Sequence, residues 1–137
     1  METITPTMAA ANDAVQTELR RLCAGIPHVT GALVASGDGL LITHVLPPSI
    51  EPTGMAALAA SQLALSFRIV TTAYGGGFHE VVVHGSGGYV AIYAADGTAL
   101  TVLTAAGVNV GRLHLEARPA ARAIADLLAA ATKSPRA

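Results

Sequence analysis

Apolar positions along the chain recur first at helical spacing, then in short continuous runs, and then at helical spacing again. Val15, Leu19, Leu22 and Ile26 lie three or four residues apart, which sets them on one face of a helix. Asn12 or Asp13 is its expected cap, and Gly25 with Pro27 its stop. Two apolar runs follow, Val29 to Ala35 and Leu40 to Leu46, separated by Ser36-Gly37-Asp38-Gly39. Glycine supplies the positive φ of a tight hairpin and Asp tolerates it, so this is a strand–turn–strand unit, closed by Pro47-Pro48. From Met55 to Ala73 the chain is rich in Ala and Leu and free of Gly and Pro. It predicts a long helix, with capping groups in Ser49 to Thr53, Pro52 in its first turn, and Gly75-Gly76-Gly77 ending it. Phe78 to His84, Tyr89 to Ala94 and Ala99 to Thr104 read as three more strands joined by hairpin turns. Asn109 to Ala131 predicts a last helix with Leu113, Ile124, Leu127 and Leu128 inward. Pro119 predicts a kink or a break in it.

The predicted order is α-β-β-α-β-β-β-α. Every strand link except the helical crossover is tight, so the sheet is expected to be antiparallel. Ala32-Leu33-Val34-Ala35, Val81-Val82-Val83 and Val90-Ala91-Ile92-Tyr93 do not alternate. Such runs mean that both faces are covered, which calls for a three-layer α+β sandwich with helices on both sides of the sheet. Residues 12–131 form the expected domain, with residues 1–11 a loose leader and residues 132–137 a frayed tail.

On the middle helix Met55, Leu58, Leu65 and Ile69 make one stripe, and Ala59, Leu63 and Val70 widen it. A helix lying on its own sheet needs an apolar arc of about 100°. The excess predicts that this helix also packs against something else, and a second copy of the chain is the simplest candidate. Composition agrees: 52% of the 137 residues are hydrophobic and 12% charged, more apolar than a typical lone domain of this size.

The rest of the composition mainly excludes. A net charge of −1 without a basic stripe gives no nucleic-acid footprint. One cysteine, Cys23, rules out an internal disulfide and any multi-cysteine zinc site. No continuous apolar run of membrane-spanning length and no secretory signal pattern is present, so the expected location is the cytoplasm, with any membrane recruitment made through a partner. His28, His44, His79, His84 and His114 make no metal-ligand pair on a helix; ordinary surface or strand-edge histidines account for them. Cys23 has no activating neighbour and reads as a core thiol. Asp38 and Asp96 belong to hairpin turns. The triple glycine follows a helix and precedes a strand, the reverse of a phosphate-binding loop, and no Gly-Lys-Ser/Thr string exists. No catalytic, metal or cofactor site is expected.

Four strings resemble the Roadblock/dynein-light-chain family, especially its small single-domain bacterial members. "LRRLCAGIPHVTGALVASGDGLLI" is similar to the family's opening helix and hairpin, at Ile26, Pro27, Val29, Gly31, Ala32, Ser36, Asp38, Gly39 and Leu40. The Ala/Leu helix after a proline-containing loop, "GGYVAIYAADGTALTVLTAAGVNVG" and "LEARPAARAIADLL" resemble its second helix, closing strands and last helix. Pro119 and the run from His44 to Pro48 depart from the pattern. The resemblance implies a five-stranded antiparallel sheet, with first and last helices on one face and the middle helix on the other. It implies a homodimer joined through the middle helix and third strand, here Met55, Leu58, Ala59, Gln62, Leu65, Ser66 and Ile69 with Phe78, Glu80 and Val82. It further implies a non-catalytic partner of a small Ras-like GTPase, in some bacteria beside a sensor-kinase-like protein. A nucleotide-independent scaffold and a small-molecule sensor domain are the alternatives.

Overall fold

The computed structural model describes residues 7–132. Helix α1 (Met8–Gly25) leads into strands β1 (Val29–Ser36) and β2 (Leu41–Val45), then helix α2 (Pro52–Tyr74). Strands β3 (Glu80–Gly85), β4 (Gly88–Ala95) and β5 (Thr98–Ala105) precede helix α3 (Val110–Thr132). The five strands form one antiparallel sheet in the order β2-β1-β5-β4-β3.

Local chemistry sets most boundaries. Glu51 caps α2, its carboxylate accepting from the N–H of Thr53 at 3.0 Å and of Gly54 at 2.7 Å. Gly75 ends that helix at φ 69°, its N–H donating to the carbonyl of Thr71 at 2.9 Å. Asn109 caps α3 by accepting from Arg112 N–H at 3.0 Å. The start of α1 differs from expectation. Ala9, Ala10 and Ala11 are strong helix formers and carry the helix back past Asn12 and Asp13 to Thr7, whose Oγ1 accepts from Ala10 N–H at 3.0 Å. Ala11 is buried, so the last residues assigned to the leader belong to the domain. Residues 1–6 and 133–137 lie outside the described residues, and Thr132 is the final residue of α3.

The sheet divides two cores. On one face Ala32, Val34, Ala91, Tyr93, Leu100 and Val102 meet Val15, Leu19 and Leu22 of α1 and Leu113, Ala117 and Ile124 of α3. On the other, Leu33 and Ala35 meet Ala56 of α2, and Ile92 and Ala99 meet Ala59. This is the three-layer arrangement, with α2 alone on its side. Gly88 allows β4 to run against β5: its φ is 153°, and a Cβ there would stand 1.9 Å from the carbonyl oxygen of Thr104.

Helix α3 is a single element through Pro119. The hydrogen bond that proline forgoes would have reached the carbonyl of Leu115, one turn back. Leu115 and Pro119 are both exposed, so water can serve that carbonyl and the helix continues.

Replacing Pro119 by Ala should therefore raise stability, by about 1–3 kcal/mol, because it restores a backbone bond at a site with room for it. Urea unfolding would measure it; an unchanged or lowered midpoint would show that the fold depends on the proline.

Candidate protein-interaction surface

Helix α2 crosses its face of the sheet on small side chains. Only Ala56, Ala59 and Ser66 of its 23 residues are buried. Met55 and Leu63 are half-buried beside them, packed on the cores around Leu33 and Ile92. Leu58, Leu65 and Ile69 project from the adjoining flank at 67%, 57% and 67% exposure. Their spacing with Gln62, alternately four and three residues, makes a seam along one side of the helix. Gln62 donates to Ser66 Oγ at 3.0 Å, which occupies its amide within the helix. A solvated helix face normally carries several charges; α2 carries one, Arg68. Phe67 and Tyr74 are also exposed, and Phe67 meets Phe78 edge-to-face with centroids 6.4 Å apart. Of the nine large exposed hydrophobic side chains among the described residues, six lie on α2 or β3. Such a concentration is what a candidate interaction surface would present.

By length and composition α2 is also apolar enough to cross a membrane. Here it lies against strands of the sheet from β2 to β3.

Strand β3 bounds the sheet on one side and, among the described residues, pairs only with β4. Val81 packs toward Ile92 on the α2 side and Val82 into the core beneath α3, so the run is covered on both faces there, and the cover ends at Val83, which is 44% exposed. The opposite edge differs. The β1–β2 register slips between Val34 and Ala35, α1 lies against β2, and Gln16 donates its amide to the His44 carbonyl at 3.1 Å. Bulges and covering helices are how sheets blunt an edge. The β3–β4 ladder runs from Glu80–Tyr93 to Gly85–Gly88 without a slip.

A cleft of 670 Å³ opens on the other face, between the β3–β4 end of the sheet and α3. Phe78 and Glu80 line it with His79, Tyr93, Arg118 and Arg122. Glu80 is held there by a forked ion pair: Arg118 Nε donates to Oε1 at 3.1 Å and Nη2 to Oε2 at 2.6 Å. That pairing keeps the Glu80 carboxyl below its ordinary range. Beneath it the Tyr93 hydroxyl meets His114 Nδ1 at 2.8 Å. Burial, reinforced by the Glu80 charge, pushes the Tyr93 hydroxyl well above its usual value, so it remains protonated and neutral. The cleft's central charges thus satisfy one another. Cys23 is half-buried, and burial raises its thiol, which keeps it from the thiolate form. Among the described residues no group of three or more His, Cys, Asp or Glu side chains is placed to hold a metal ion.

The ten interface residues anticipated from the sequence therefore occupy three environments. Leu58, Leu65 and Ile69 are exposed together, with Gln62 and Met55 half-exposed beside them. Ala59 and Ser66 lie beneath the helix, against this chain's own fold. Phe78, Glu80 and Val82 sit along the edge strand and its approach, with the Glu80 side chain turned to α3. Sequence reasoning passed over Phe67, Tyr74, Val83 and His84. Apolarity was the available signal for the first three, and nothing local marked His84.

The profile of the Roadblock/LC7 domain matches residues 15–104. An uncharacterized protein of Methanocaldococcus jannaschii, MJ1340, is 28% identical over 96 residues, which cover 70% of this chain and 84% of that one. The crystal structure of a Roadblock/LC7 domain from Streptomyces avermitilis superposes with a TM-score of 0.75 at 25% identity, covering 82% of this chain and 96% of that one. A solved MglB with a tetrameric arrangement gives a TM-score of 0.82 at 19% identity, covering 96% and 99%, a likeness of fold.

The Glu80–Arg118 pair yields a pH dependence. Glu80 has a folded-state pKa below its unfolded value, so its contribution is present above the unfolded value and is lost as pH falls through the folded one. Arg118→Gln should lower Tm at about pH 7, and the difference should shrink as the pH falls through the folded-state value and the carboxyl takes up its proton. Equal Tm values at neutral pH would mean that the pair adds nothing to stability.

Proposed function

The chain belongs to the Roadblock/LC7 domain family, and we propose that it acts as a non-catalytic homodimeric partner of a small Ras-like GTPase, binding it and altering its nucleotide state or location. The observation that carries this reading is the unpartnered apolar flank of α2 beside an unpaired edge strand. The flank bears Leu58, Leu65 and Ile69, has one charged residue along the whole helix, and continues toward β3. Burying such a side chain contributes roughly 1–2 kcal/mol at this degree of exposure, and a twofold contact buries each of them twice. Gln62 and Met55 border the same seam. Ala59 and Ser66 join it by being small, since they let α2 lie low on the sheet and let a second helix approach. Phe78, Glu80 and Val82 supply the strand side.

The alternatives differ in what is bound. A scaffold would hold its partner whatever nucleotide that partner carries. A small-molecule sensor would use the cleft by Tyr93 and Arg118, and the mutual pairing of the groups there argues against it. A sensor-kinase-like protein is proposed as a further member of the complex, on the family resemblance alone.

Two measurements test the proposal. Light scattering behind size exclusion should give a dimer across the micromolar range, and Leu65→Glu with Ile69→Glu should weaken it about 100-fold or more, as loss of central apolar anchors does. A monomer in the native protein would end the homodimer reading. The dimer, immobilised and offered lysate with GDP or a non-hydrolysable GTP analogue, should retain an identified small GTPase preferentially in one nucleotide state. Equal retention would favour the scaffold, and retention of no GTPase in either arm would overturn the partnership.

A further inference from the structure

The backbone of β3 limits how two copies can join, which deepens the second-copy reading above and rests on it. Ala94 N–H donates to the His79 carbonyl at 3.0 Å, so His79 and Ala94 form a hydrogen-bonded pair at the head of the β3–β4 ladder. In an antiparallel ladder bonded and non-bonded pairs alternate. Val81, Val83 and Gly85 therefore turn their N–H and C=O groups toward β4. Glu80, Val82 and His84 turn theirs to the free edge. The two-residue turn Ser86-Gly87, flanked by the Gly85–Gly88 pair, fixes the same phase.

A twofold axis makes the added strand antiparallel, and bonded positions must face bonded positions. Three registers then keep most of the strand paired. With Val81 or Val83 on the axis, two outward residues of each strand find partners and the third faces the strand's end or a turn. With Val82 on the axis, all three are paired: Val82 with the partner's Val82, and Glu80 with the partner's His84, twice.

Side chains select the same register. Glu80, Val82 and His84 all project on the α3 side of the sheet, since Val82 packs in that core and Glu80 meets Arg118. Centring on Val82 sets a carboxylate against an imidazole at both ends. Centring on Val81 or Val83 sets Glu80 or His84 against valine. Sliding further sets Glu80 against Glu80 or His84 against His84, and like groups directly opposite repel. Arg118 takes one bond at each Glu80 oxygen, and each oxygen keeps a second lone pair for the incoming ring. The His84 ring is pre-oriented, stacked on Tyr89 with centroids 4.2 Å apart and planes 8° from parallel.

We propose that two copies join β3 to β3 with Val82 on the twofold axis, each Glu80 opposite the partner's His84, so that Arg118, Glu80 and the partner's His84 form a polar clasp at either end of the joint.

Single cysteines read the register directly. In a Cys23→Ala background, Val81→Cys, Val82→Cys and Val83→Cys each bridge to their own copy only if that position lies on the axis. There the Cα atoms of a bonded pair stand about 5.5 Å apart, and positions two residues out of step lie beyond the roughly 7 Å limit of a disulfide. Oxidation should cross-link Val82→Cys nearly completely and the other two hardly at all, and an equal mixture of Val81→Cys and Val83→Cys should cross-link to each other. Self-cross-linking of Val81→Cys or Val83→Cys would overturn this register and leave the dimer standing. A dimer by light scattering with no cross-link at any of the three would remove β3 from the joint, and a monomer would remove the second-copy reading with it. His84→Glu in the native background should weaken association about tenfold through two like-charge apposed pairs. Unchanged association would overturn the clasp.

Discussion

A helix can settle closely on a sheet only where its contacting side chains are small, and α2 meets that constraint with Ala56, Ala59 and Ser66. Small contacts bury little area, so the α2 layer gains less from its own sheet than α1 and α3 gain from theirs. Those helices send Val15, Leu19, Leu113 and Ile124 into the opposite core and pack on each other as well. The large apolar residues of α2 are left on its flank. The two sides of the sheet are thus unequal, one closed by two mutually packed helices and one covered by a single helix with hydrophobic surface to spare.

The two edges are unequal in the same sense. At β2 the register slips, α1 lies alongside and Gln16 takes a backbone carbonyl. At β3 the ladder is regular and the side chains run Glu, Val, Val, Val, His. An edge without a bulge, proline or inward-pointing lysine is one that a protein has left open to pairing. The open edge and the uncovered helix flank lie toward the same end of the sheet, since Phe67 on α2 reaches Phe78 at the entrance to β3. Two independent deficits in one place are more informative than either alone.

Much of this was legible in the sequence because it is local. Hairpin turns announce themselves through Gly and Asp, and α2 through an uninterrupted Ala/Leu stretch between Pro52 and Gly75. What was misjudged depended on distance along the chain or on competing local signals. Asn12 and Asp13 are good caps, yet the alanines before them prefer to remain helical and Thr7 serves instead. The valines of β3 read as a strand covered on both faces, which holds for Val81 and Val82, but no local pattern showed that the cover stops at Val83. The partner of Glu80 lies 38 residues onward at Arg118, a pairing that no local pattern encodes. Among the anticipated interface residues, periodicity grouped Leu58, Leu65 and Ile69 in one wide arc with Ala59 and Ser66 but could not show that the first three lie on its exposed flank and the other two on its sheet-facing one.

The division within that arc is itself the reason to expect a protein surface at α2 in preference to a bilayer or bulk water. A helix immersed in lipid has no need for one flank of small residues and another of large ones, because lipid conforms to either. A helix facing water would carry charge along its outer side. Here the small flank matches a sheet already present, and the large flank, with Leu58, Gln62, Leu65 and Ile69 alternately four and three residues apart, has the spacing by which one helix seats against another. The adjoining strand offers main-chain groups that only another strand can satisfy in full. In the proposed dimer a second copy of this chain would carry both complements, a helix of the same spacing and a strand of the same phase, and a twofold axis would bring them into place together.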